Sequence, residues 1–231
     1  TTRRGVPTVK ARWGNRVSMH TGDYLFAMAL KIISRYTNER ILRTLAEVSV
    51  KMVEGEIQQI LSAFDTRQTV KDYLNRIRRK TALLISTSFM LGAIASGAPE
   101  SITRSLTRFG HFIGMAFQIT DDLLDFTSSE EVLGKAVGSD LAQGIITLPV
   151  IYALQSERGE TLSKLISRLE KGEALISEAL PEVIRSGGLQ KAEVLKERYV
   201  LRARQELERL PAVAARQTLA GIADFISIRR F

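Results

Sequence analysis

The eighteen residues from Phe109 to Phe126, FGHFIGMAFQITDDLLDF, constrain this chain more than any other stretch. The run has no proline, its two glycines lie upstream at 110 and 114, and the apolar spacing passes through three aspartates without a break. That pattern predicts one continuous helix. At about 100° per residue, Gln118, Asp121, Asp122 and Asp125 fall within an arc of roughly 100°, while Ile119, Leu123 and Leu124 point elsewhere. Carboxylates four residues apart repel each other, and burying one without a partner is costly. Such a stripe on an apolar helix suits a bound cation. Oxygen-only donors without His or Cys nearby favour Mg²⁺ over Zn²⁺. A helix N-cap, a turn and a solvated acidic face are the competing readings of the same residues.

The rest of the chain also reads as helix. Leu25, Met28, Ala29, Ile32 and Ile33 keep helical spacing from Tyr24 until the pattern fades at RYTNER. Further helices are expected over 38–62, 69–96 and 101–126, with GAP at 97–99 breaking the third. A Ser/Gly-rich loop, TSSEEVLGKAVGSDLAQG, leads into another helix near Leu141. Short helices follow, with breaks at Arg158-Gly159, Lys171-Gly172, Ser186-Gly187-Gly188 and Pro211. No run alternates with period two, so an all-α fold in a single domain over residues 1–231 is expected.

Residues 82–98 carry no charge, but 17 residues rich in Ser and Gly make a helix buried among helices a better reading than a membrane span. The net charge of +8 arises from bases scattered among 25 acids, with no aromatic pattern beside them. This excludes a nucleic-acid-binding stripe and leaves small anionic substrates. The lack of cysteine suits a reducing, cytoplasmic setting. No signal peptide is visible at the start, although the chain begins with Thr.

Other segments offer cations. Arg3 and Arg4 precede Gly and Pro in an expected loop and form paired forks suited to phosphate, or an ordinary basic turn. Lys80 and Thr81 sit where a charged helical stretch becomes apolar, so Lys80 either enters a cleft or reaches solvent. Gly55 lies within an expected helix, where it costs about 1 kcal/mol relative to Ala; such a glycine usually allows close approach. Glu56 and Gln59 could then line a polar cavity or form a surface stripe. Lys135 lies between glycines, and Asp140 is placed to cap the next helix. Carboxylates for Mg²⁺, cations for oxyanions and an apolar interior together suit a diphosphate carried on a long hydrocarbon.

RRGVPTVK, GDYLFAMAL, GEIQQI, RKTA, FQITDDLLDF and GKAVGSDLAQGIITLP stand in the order and at the spacings of the trans-isoprenyl diphosphate synthases, and the chain resembles that family over about residues 3–155. In finer detail it is similar to the catalytic components of the bacterial heterodimeric heptaprenyl or hexaprenyl diphosphate synthases, which serve menaquinone side-chain synthesis. The resemblance implies a helical bundle of the isoprenoid synthase type with a central apolar cavity. It also implies a Mg²⁺-dependent prenyltransferase joining isopentenyl diphosphate to an allylic diphosphate such as farnesyl diphosphate. On that basis Asp121, Asp122 and Asp125 form the second aspartate-rich motif, with Asp121 the foremost metal ligand. Lys80, Lys135 and Arg3 would bind the allylic diphosphate, Arg4 and Gln118 would face isopentenyl diphosphate, and Thr81 would support the site. Arg229 and Arg230 would close over the homoallylic pocket. A homodimer, or a heterodimer with a small regulatory subunit, is the implied assembly. A non-catalytic prenyl-diphosphate-binding partner and a terpene cyclase are the alternatives.

Two departures bear on this. The family's first DDxxD motif lies upstream of RRG, and the chain as written starts at TTRRG; the fragment alone is therefore expected to be inactive. Many relatives carry lysine in DLxxGKxT where this chain has Ile145, which removes one cation from the expected set.

Overall fold

The computed structural model describes residues 2–3, 6–128 and 136–228. The chain opens with two short strands, β1 (Thr2–Arg3) and β2 (Val6–Pro7), paired antiparallel with Thr2 opposite Pro7 and Arg3 opposite Val6. Strands of two residues are too short for any alternation, so the sequence shows only a turn there. All other elements among the described residues are helical, as expected.

Helix α1 (Val9–Ile33) starts well before Tyr24. The Thr8 side chain accepts from the Ala11 amide at 3.1 Å, and this cap launches polar turns that carry no apolar stripe. At Gly14, φ of +82° kinks the helix. Helix α2 (Glu39–Leu61) is capped by Asn38, whose side chain accepts from the Arg40 and Ile41 amides. The expected helix over 69–96 proves to have three parts: α3 (Val70–Ile77), a π-helical turn (Arg78–Ala82) and α4 (Leu83–Ala95). A Thr69–Asp72 capping box starts α3. Then follow α5 (Glu100–Thr127), α6 (Ser139–Ala142), α7 (Leu148–Leu154), α8 (Gly159–Glu170), α9 (Ile176–Arg185), α10 (Gly188–Glu208) and α11 (Ala214–Ile228).

Helix α5 is the axis of the molecule. It packs along α10 on one side and along α4 and the π turn on another. Met115, Ile119, Leu123 and Phe126 join a core completed by Tyr73 and Ile77 of α3 and by Leu148 and Ile151 of α7. Phe109, Ile113 and Ala116 face a second core, with Val200 and Leu207 of α10 and Ile226 of α11.

Two glycines set the position of the π turn. A Cβ at Gly114 of α5 would stand 2.7 Å from the Ala82 Cα, and one at Gly55 of α2 would stand 3.0 Å from the Arg79 Cβ. The close approach expected at Gly55 is therefore real. Gripped between two backbones, the turn presents Lys80 and Thr81 at a fixed place. Single π turns inside α-helices recur at functional sites.

Candidate active site

Beside the π turn is a cavity of about 300 Å³. Gln59 of α2 and Lys80 line it on one side, Gln118, Asp121 and Asp122 of α5 on another, and Asp140, Ile145 and Thr147 close it. The Lys80 ammonium lies 3.1 Å from Gln59 Oε1 and 3.3 Å from Glu56 Oε1. Lys80 thus enters the cleft, and Glu56 and Gln59 supply its polar surroundings.

A hydrogen-bond chain crosses from α3 and the π turn to α5. Thr81 donates to Gln118 Oε1 at 2.6 Å, Gln118 Nε2 donates to Asp122 Oδ1 at 2.9 Å, and the buried Tyr73 hydroxyl donates to Asp122 Oδ2 at 2.6 Å. Both Asp122 oxygens are engaged. Burial still raises its carboxyl to about 7, with the Asp140 carboxylate adding to the rise; the bonds from Tyr73 and Gln118 and the charge of Arg76 oppose it. The Tyr73 hydroxyl is pushed well above its ordinary value, first by burial and then by the Asp122 charge. Arg76, itself buried, lies over the Tyr73 ring at 5.6 Å, donates to the Ile146 carbonyl at 2.5 Å and also donates to Gln68.

Asp125 does something else. Fully buried, it accepts from the Ser139 hydroxyl and from the Asp140 amide, both at 3.1 Å. It therefore caps the start of α6, where unpaired amides attract a carboxylate. Asp125 thus turns to α6 and is not among the cavity-lining residues, and one expectation is corrected: Asp140 is not the cap but a residue of α6 on the cavity wall. Among the described residues, no group of three or more Asp, Glu or His side chains converges as a metal cage. The donor set nevertheless fits Mg²⁺ bound in its usual way, through one or two carboxylates with substrate oxygens and water completing the shell. Asp121 and Asp140 are carboxylate residues that line the cavity.

The polyprenyl synthetase family model matches residues 1–183. The heptaprenyl diphosphate synthase component 2 of Bacillus subtilis is 44% identical over 229 residues, covering 99% of this chain and 66% of that protein. The chain belongs to the polyprenyl synthetase family. The protein of the same description from Geobacillus stearothermophilus is 45% identical, covering 99% of this chain and 71% of its own length. Among solved structures, heptaprenyl diphosphate synthase from Staphylococcus aureus superposes with a TM-score of 0.93 at 34% identity, covering all of this chain and 72% of that one. A Caulobacter crescentus polyprenyl synthase, complexed with calcium and isoprenyl diphosphate, gives 0.91 at 33% identity over 99% of this chain and 71% of that one.

Within this polyprenyl synthetase chain, the structure brings Lys80, Thr81, Gln118, Asp121 and Asp122 together, and places Ile145 on the wall as an apolar neighbour. Arg4, Lys135, Arg229 and Arg230 lie outside the described residues, and Arg3 is placed only as backbone in β1. Sequence reasoning missed Tyr73, Arg76 and Thr147. The one signal for Tyr73 is its position seven residues before Lys80, two helical turns along the same face.

Proposed function

We propose that the full-length protein is a Mg²⁺-dependent trans-prenyltransferase. It condenses isopentenyl diphosphate with an allylic diphosphate, farnesyl diphosphate for preference, and yields heptaprenyl diphosphate for the menaquinone side chain. The observation that carries this reading is the cavity itself, where Lys80 on a clamped π turn lines the same space as Asp121 and Asp140. The 44% identity to a heptaprenyl synthase component supports the product class.

In this reading Lys80 binds the allylic diphosphate, with Lys135 and Arg3 as further cations. The C–O bond to that diphosphate breaks, the double bond of isopentenyl diphosphate attacks the allylic cation, and a proton is lost. Diphosphate leaves only when its charge is neutralised, and bound Mg²⁺ supplies that neutralisation. Asp121 would hold the ion, with Asp140 beside it. Asp122 and Asp125 support it indirectly: the first fixes Gln118, the second fixes α6 and hence Asp140. With Oε1 taken by Thr81 and one Nε2 proton given to Asp122, Gln118 keeps one amide proton for isopentenyl diphosphate, which Arg4 also faces.

A homodimer or a heterodimer with a small subunit fits the exposed apolar side chains of α1, among them Trp13, Met19, Leu25 and Phe26. Among the described residues no helix is long and apolar enough to cross a membrane, and a cytoplasmic enzyme is proposed. Asp121→Ala in the full-length protein is expected to lower turnover by about 10²–10³-fold while the helical circular dichroism is retained. Turnover close to wild type sinks the mechanism, and product length by mass spectrometry tests the heptaprenyl assignment.

A further inference from the structure

Thr147 stands at the N-cap position of α7 with extended backbone, φ −92° and ψ 172°. A threonine there ordinarily accepts a hydrogen bond from the second or third amide of its helix. Thr8 and Thr69 each cap their own helix in this protein, but Thr147 makes no cap bond. The residue two positions on is Pro149, which has no amide proton to give. Thr147 is only 2% exposed, and its hydroxyl has no hydrogen-bond partner among the described residues. A buried hydroxyl left without a partner destabilises a fold. The same residue lines the cavity that holds Lys80, Asp121 and Asp140, and a turn of about 120° about χ1 carries its hydroxyl to another staggered position.

We propose that Thr147 is a ligand-binding residue, its hydroxyl donating to a diphosphate oxygen of the substrate. The fold keeps this donor uncommitted so that the substrate becomes its first partner. The inference rests on the prenyltransferase reading and adds to it a neutral, oriented donor on the wall where Ile145 withholds a cation.

The test uses the full-length protein and the variants Thr147→Val and Thr147→Ser. Without ligand, Thr147→Val is expected to melt at or above the wild-type temperature. The Michaelis constant for one of the two diphosphate substrates should rise about tenfold, as for one lost hydrogen bond to a charged ligand, with kcat within about twofold. The upward melting shift that inorganic pyrophosphate with Mg²⁺ gives wild type should fall by more than half. Thr147→Ser should keep both the affinity and the shift. A lowered melting temperature for unliganded Thr147→Val, or an unchanged Michaelis constant and pyrophosphate shift, overturns the proposal. If wild type itself shows neither turnover nor a pyrophosphate shift, the prenyltransferase reading has failed and Thr147 falls with it.

Discussion

Helices α1 and α5 are both long, 25 and 28 residues, and both carry many apolar side chains, yet they share almost nothing in burial. From Thr103 to Phe126, α5 buries fifteen residues; α1 buries none. Tyr24, Leu25 and Phe26 of α1 are each more than half exposed, whereas Phe109, Ile119 and Ala116 of α5 are completely enclosed. The polar first turns of α1 account for part of the difference, but not for the exposure of Tyr24, Leu25 and Phe26. The rest comes from cover: α5 is held between α10 and α4, and no described element packs extensively on α1. An apolar stripe states what a helix can bury, and its neighbours decide what it does bury. The contrast extends to acidic side chains. Asp23 on α1 has a side chain 76% exposed, beside His20 at 3.5 Å, while Asp122 and Asp125 on α5 are buried and fully engaged.

The largest effect should come from filling the tightest contact of α5. In Gly114→Val the new Cβ meets backbone, 2.7 Å from the Ala82 Cα, and nothing flexible can yield. The π turn must shift, taking Lys80 and Thr81 with it. A loss of more than about 4 kcal/mol is expected, read by denaturant unfolding. A variant as stable as wild type would mean that the turn is not clamped as described.

Asp122→Asn tests the buried carboxyl. Its pKa of about 7 in the fold exceeds the ordinary value, so the folded state holds the proton more tightly than the unfolded chain. The stability this contributes is complete below about pH 4 and is lost as pH rises through 7, by up to about 4 kcal/mol. The amide oxygen of the variant can still accept from the Tyr73 hydroxyl, as Asp122 Oδ2 does, and the amide does not titrate. Relative to the variant, wild type should therefore lose stability from pH 4 to 7 in metal-free buffer. The same change at the exposed Asp23 of α1 is the control. Parallel pH profiles for wild type and Asp122→Asn would remove burial as the controlling influence.

Asp122 and Asp125 also mark what was legible in the sequence. The period of α2 and α5 was readable to within about a residue at each end, because amphipathic pattern and end signals agree there. Gly55 announced a close approach before any neighbour was known. The first turns of α1 were missed because they are polar and start from the Thr8 cap alone. The π turn has no sequence mark, and the two glycines packed against it, Gly55 and Gly114, lie on other helices. Of the site, the stripe of carboxylates was visible, but its division was not. Whether Asp122 answers to Tyr73, or Asp125 to α6, depends on residues 49 and 14 positions away.

A smaller effect should follow Leu25→Glu, which places a charge on the open face of α1. If a partner chain covers that face in the full-length protein, association should weaken by about 2 kcal/mol or more. Sedimentation would report it as dissociation, while the subunit melts as before. A lowered melting temperature without dissociation would instead assign the cover to the protein's own chain.

The smallest expected effect is the most direct gauge of that cover. Gly22 lies inside α1, and a Cβ built there meets nothing within 4 Å. In an uncovered helix, Gly22→Ala should stabilise by up to about 1 kcal/mol, because alanine loses less backbone freedom on becoming helical. That corresponds to roughly 2–4 °C in melting temperature for a chain of this size. The sign of the change carries the information. A rise says that the working protein leaves this side of α1 open even when the rest of its apolar face is occupied. A fall has no source among the described residues, so it requires another backbone seated against Gly22, as Ala82 is seated against Gly114. In that case α1 would turn out to be packed as closely as α5, with its cover supplied from beyond the described chain.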